Sequence, residues 1–75
     1  MSKVFNVRGH KVRSASTRRY IVVYVERPSD HHPKGRASVH KRSDSIDVAK
    51  AHAGRYGVRP SSYMVVIDSV DGAEV

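Results

Sequence analysis

Arginine, lysine and tyrosine are interleaved along the first half of this chain in a pattern that suits contact with a polyanion. Arg18, Arg19, Tyr20 and Tyr24 fall in one stretch, and Arg36, His40, Lys41 and Arg42 in another. Lys11 and Arg13 precede them, and Lys34 lies between. A guanidinium is a planar fork that matches phosphate and the O6/N7 edge of guanine, whereas an ammonium acts on phosphate as a point charge. Tyrosine rings stack on unpaired bases. Arg36, His40 and Arg42, with Tyr20 and Tyr24, are therefore expected to form a contact sheet. Lys11, Arg13, Arg18, Arg19 and Lys34 are expected to grip phosphates from loops, where they would position the protein without reading sequence. The bland alternatives are a solvated charge run and tyrosines that are cross-strand packing partners.

Other chemistries have less support. His31 and His32 are weak metal candidates: adjacent histidines are not a zinc spacing, and no Cys or second His follows at i+3 to i+5. No cofactor is expected. "GRYG" (Gly54–Gly57) matches the G-x-x-G clamp that grips a nucleic-acid backbone, but helix termination accounts for both glycines. No nucleophile elbow, phosphate loop or metal motif frames the Ser, His and Asp residues. The chain reads as a non-enzyme without a small-molecule substrate.

Charge sharpens the case. The net charge is +7 over 75 residues, and nine of the fourteen cations are Arg. Residues 1–42 hold eleven Lys/Arg against two acids, a net of +9; residues 43–75 hold three against five, a net of −2. A surface so asymmetric points to DNA or RNA. Cysteine is absent, which excludes disulfides and Cys-based zinc sites. No apolar run nears the ~18 residues that span a bilayer, and no signal peptide is visible, so a soluble, cytoplasmic protein with no membrane contact is expected. At this length residues 1–75 read as one basic domain, with 1–17 a short strand plus a flexible basic segment. A chain of this size buries only ~60% of its unfolded surface, so its core is thin.

The elements that must position these side chains can be read from periodicity. "KVFNVR" (Lys3–Arg8) is a short strand with Phe5 and Val7 on one face. "GHKVRSASTR" is polar and reads as a loop or ragged strand. "RRYIVVYVER" (Arg18–Arg27) is dense in β-formers and apolar on both faces, with Ile21, Val23 and Val25 on one and Tyr20, Val22 and Tyr24 on the other. Pro28–Gly35 is a loop, and Arg36–Arg42 alternates as a half-buried strand, making a β-hairpin. Ser43–Gly57 reads as a helix with N-cap candidates Ser43, Asp44 and Ser45, a stripe of Ile46, Ala49, Ala53 and Tyr56, and Gly57 at its end. Ser62–Val70 is a last strand, and Asp71–Gly72 a turn.

The predicted architecture is α+β, a two-layer (β)ββαβ arrangement: a small, mostly antiparallel sheet with one helix packed on one face. The aliphatic face of Ile21, Val23 and Val25, with Ala37 and Val39, is expected to take the helix. The tyrosine face would then stay open beside Arg36, His40 and Arg42, covered in part by Phe5 and Val7. In topology a basic hairpin-built sheet backed by one helix resembles the arm-type DNA-binding domains of phage integrases, in size and in offering a sheet to the major groove. The strand after the helix departs from that pattern, and no residues carry over. The Arg bias and small size suit a phage or mobile-element protein. The expected function is nucleic-acid binding. The rival is a protein-interaction module, either a homodimer through the sheet face or final strand, or a phage-type protein docking on a host protein.

Overall fold

The computed structural model describes residues 2–15 and 18–75. The order is β1 (Ser2–Val7), β2 (His10–Ala15), β3 (Tyr20–Glu26), β4 (Arg36–Ser43), α1 (Ile46–Tyr56) and β5 (Ser62–Asp68). The fold is α+β. Strands β4, β3 and β5 form a three-stranded antiparallel sheet with β3 at its centre, and α1 packs on one face. The other face carries a second sheet, the β1–β2 hairpin.

The hairpin arises from a turn of two residues. Arg8 and Gly9 both adopt positive φ, 51° and 85°, which gives the twist that two-residue β-hairpins favour. Phe5 faces Val12 and Val7 faces His10 across the ladder. The stretch 10–15, expected as a loop or ragged strand, is thus a paired strand. Alternation turns Phe5, Val7, Val12 and Ser14 inward, where all four are buried. The Arg8 guanidinium makes a bidentate pair with Glu74 at 2.6 and 2.8 Å, tying the turn to the C-terminal segment.

Two cores lie on either side of β3. Between the sheets, Ile21, Val23, Val25, Val65 and Ile67 meet Phe5, Val7 and Val12. Under the helix, Val22, Val66 and Ala49 pack together with Tyr20, Met64 and Ala53 at the margin. The expected facing of β3 is therefore reversed: the hairpin covers the aliphatic side, and α1 covers the tyrosine side. Strands β4 and β5 both run antiparallel to β3, so β4–α1–β5 is a crossover between parallel strands. The handedness of such connections sets which side receives the helix, and β3's own alternation does not. Packing agrees with this choice. The small Ala49 and Ala53 fit against the bulky Tyr20 and Met64, while Phe5 and valines fill the flatter Ile/Val surface.

Helix α1 begins at the N-cap Ser45, whose Oγ accepts from Val48 N at 3.3 Å, and carries Asp47 in its first turn. It ends at Gly57, whose φ is 72° and whose N–H donates to Ala53 O. The β3–β4 loop closes on Gly35 (φ 73°), where a Cβ would sit 2.5 Å from Glu26 O. Beyond β5 the chain turns at Gly72 and returns along the open edge of that strand: Asp68 N donates to Ala73 O and Val75 N to Val66 O. Among the described residues no helix is long and apolar enough to cross a membrane.

Two substitutions test this packing by urea denaturation. Phe5→Ala should cost about 3 kcal/mol or more, because it empties the hairpin–sheet core. Gly35→Ala should cost more than Gly9→Ala, since only Gly35 combines positive φ with a backbone clash. An unchanged midpoint for Phe5→Ala would show that the hairpin does not cover the sheet.

Candidate nucleic-acid interface

The solvent face of the β1–β2 ribbon follows from its inner face. Where Phe5, Val7, Val12 and Ser14 point in, Val4, Asn6, Lys11 and Arg13 point out, and all four are exposed. The register sets Asn6 opposite Lys11 and Val4 opposite Arg13. Val4, Lys11 and Arg13 line a shallow depression of about 420 Å³. No Asp or Glu occurs before Glu26, so the ribbon itself carries no carboxylate. Among the described residues Lys11 and Arg13 take part in no ion pair.

Strand β4 adds a further cation to this layer through a β-bulge. Pairing with β3 steps from Val22↔Lys41 to Val23↔Val39, leaving His40 as the extra residue. The bulge shifts the alternation by one, so Arg42 lies opposite Ile21 and turns toward the hairpin. Its Nε donates to Ser14 Oγ of β2 at 2.8 Å. Arg42 therefore does not join Arg36 and His40, as a simple alternation through Arg36–Arg42 predicted, but sits beside the ribbon.

The other expected contacts are dispersed. Arg18 pairs with Asp44 at 2.8 Å, Arg19 with Asp68 at 3.1 Å, and Arg36 with Glu26 at 3.0 Å. These three arginines are partly neutralised. Lys41 lies opposite Val22 on the helix side, beside Val48, Ala51, His52 and Arg55. Lys34, His31 and His32 lie in the β3–β4 loop. The tyrosines do not form an open stacking face. Tyr20 packs against the Val22–Ala49–Val66 cluster, with the Arg19 guanidinium 5.3 Å from its ring. Tyr24 meets Tyr56 of α1 edge-on at 5.5 Å and approaches His40 at 6.4 Å. Tyr63 lies between the guanidiniums of Arg8 and Arg27, at 5.6 and 4.9 Å.

Titration behaviour follows this geometry. Hydrogen bonds from Arg36 and Arg8 hold the Glu26 and Glu74 carboxyls below their ordinary range. Asp68 is lowered by the Val70 N–H and then by Arg19. His52 lies 5.0 Å from His40, ring to ring, between α1 and β4. Burial pushes its pKa below 6.5, and the nearby His40, Lys41 and Arg55 push it the same way. Among the described residues no three metal-ligating side chains converge, and His31 and His32 have no third ligand beside them.

Strand β2 is hard to see in "KVFNVRGHKVRSA" because Val12 is its one apolar, inward residue among those described. The Arg8–Gly9 pair, flanked by alternating residues, was the available signal, and it would have added Val4 and Asn6 to the site.

Protonating His52 favours the unfolded chain, so the stability present above pH 6.5 should fall as pH drops toward its lowered folded value. Loss of the paired carboxylates should add to this only at lower pH. Thermal melts at pH 7 and 5 should show the first loss, and His52→Gln should reduce it; an equal loss in that variant would remove His52 as the cause. Searches of the chain against protein-family models, curated proteins and solved structures find no match.

Proposed function

We propose that this protein is a non-enzymatic nucleic-acid-binding module that engages its ligand with the hairpin layer. One observation carries the reading. Lys11 and Arg13 stand together on the exposed face of a ribbon that carries no acid, and neither makes an ion pair among the described residues; Lys41 and Arg55, also without ion pairs, lie on the helix side in the part of the chain, from Glu26 on, where the acids are. Arg42 lies at the β2 edge, bonded to the inward Ser14, a neutral hydroxyl, and borders this face without joining it. A concentrated, uncompensated positive layer raises the local density of polyanion and speeds its capture. The tyrosines, which would serve stacking on single strands, face the helix instead.

The protein-interaction reading keeps one specific support. Strand β5 is a sheet edge, and its open side is capped by Val75 at Val66 and by Arg59 at Ser62, with Met64 between them. Met64 also lines a cleft of about 480 Å³ with Arg27, Lys50 and Val58. Only the short uncapped stretch around Met64 is left to recruit a strand, from a second copy or a host protein. A homodimer through the sheet face is disfavoured, because hairpin and helix cover both faces.

Binding measured between about 50 and 200 mM salt tests the leading reading, and affinity should fall steeply. Arg13→Ala should lower the slope of log K against log salt by about 0.9 for each phosphate that the variant no longer neutralises. Arg36→Ala, which removes a paired cation, should change it less. Absence of binding to any nucleic acid at 50 mM salt would sink the proposal, and a stable dimer built through β5 would favour the rival.

A further inference from the structure

Resting on the nucleic-acid reading, we infer that the ligand is B-form duplex DNA. The solvent face of the β1–β2 ribbon lies in the major groove, where Asn6, Lys11 and Arg13 meet base edges.

Three features of the ribbon select this ligand. The first is size. Two paired strands lie about 4.8 Å apart, and six residues extend about 20 Å. A B-form major groove about 12 Å wide admits a two-stranded ribbon, whereas the A-form major groove of RNA is deep and too narrow for side chains to read. The second is side-chain chemistry. Asn is the usual bidentate partner of adenine, and Arg and Lys of guanine O6/N7. Val4, 55% exposed between these polar neighbours, offers methyl groups for the thymine C5 methyl. Asn6↔Lys11 and Val4↔Arg13 are directly opposed pairs, so all four side chains rise from one short patch. The third is the lack of a stacking platform. Among the described residues no aromatic lies on this face, since Phe5 is buried inward and Tyr20 and Tyr24 face the helix. A surface without rings suits a stacked duplex better than splayed bases.

The ribbon is also held firmly. Its inner face is packed into the main core, its turn is clamped by Arg8–Glu74, and its β2 edge is bonded to Arg42. Contacts placed on a rigid, supported element keep the geometry that base readout needs.

Fluorescence anisotropy with the full chain tests the inference. The probes are a DNA duplex, an RNA duplex of the same sequence, and each single strand. The DNA duplex should bind at least about 10-fold tighter than the RNA duplex. Methyl green, which occupies the major groove, should displace the protein, and the minor-groove ligand netropsin should not. Equal affinity for both duplexes, or displacement by netropsin alone, would overturn the groove assignment while leaving nucleic-acid binding intact. Binding to none of the probes would overturn both. Selection from a randomised DNA duplex pool tests base readout separately: wild type should enrich a preferred sequence, and Asn6→Ala should relax it at one or two positions. A wild-type selection without enrichment would overturn base contact. Unchanged urea midpoints for Asn6→Ala would confirm that the variant is folded.

Discussion

Strand β3 is apolar on both faces, and everything else in this small protein is arranged to cover it. Ile21, Val22 and Val23 are fully buried in consecutive positions. A single helix shields only one side of a sheet. The second side must take another layer, and the chain supplies it from its N-terminus as a two-stranded ribbon. Burying a residue such as Ile21 or Val23 stabilises the fold by about 1.5–3 kcal/mol. Neither cover can therefore be lost cheaply from a domain whose whole stability is about 5–15 kcal/mol.

The covering ribbon must itself have an outer face, and the distribution of charge decides what that face is. The acids lie at Glu26 and beyond, and they reach the arginines that border the sheet and helix: Arg18, Arg19, Arg36 and, through the returning C-terminal segment, Arg8. The outer face of the ribbon is left with Lys11 and Arg13 and no counter-charge of its own. The bulge at His40 turns Arg42 toward the ribbon's inner side, where it bonds the buried Ser14 at the β2 edge. One segment thus both completes the core, through Phe5, Val7 and Val12, and concentrates charge on its solvent side.

Much of the architecture was legible in the sequence where periodicity was strong. The helix, with its Ser45 cap, Ala49–Ala53 stripe and Gly57 end, falls where the pattern placed it, as do β3, β4 and β5. Strand β2 was obscured because its inward side alternates one valine with a serine, which weakens the apolar signal. The facing of β3 was not readable: with both sides apolar, alternation gives no preference, and the crossover from β4 to β5 determines where the helix lies. The candidate site shifted for a related reason. "RASVHKRS" alternates only as far as Val39; Lys41, where a third apolar residue would fall, was the one mark of the bulge that parts Arg42 from Arg36. The tyrosines looked like a stacking surface only while their side of the sheet was taken to be open.

On the reading proposed above, the segment that covers the sheet is also the segment that meets the ligand. Amide chemical shifts followed during titration with a DNA duplex test it most directly. The largest changes are expected at Val4, Asn6, Lys11 and Arg13, extending to Arg42, with α1 little affected. Changes centred on α1 or on the Pro28–Gly35 loop, with residues 2–15 unmoved, would contradict it.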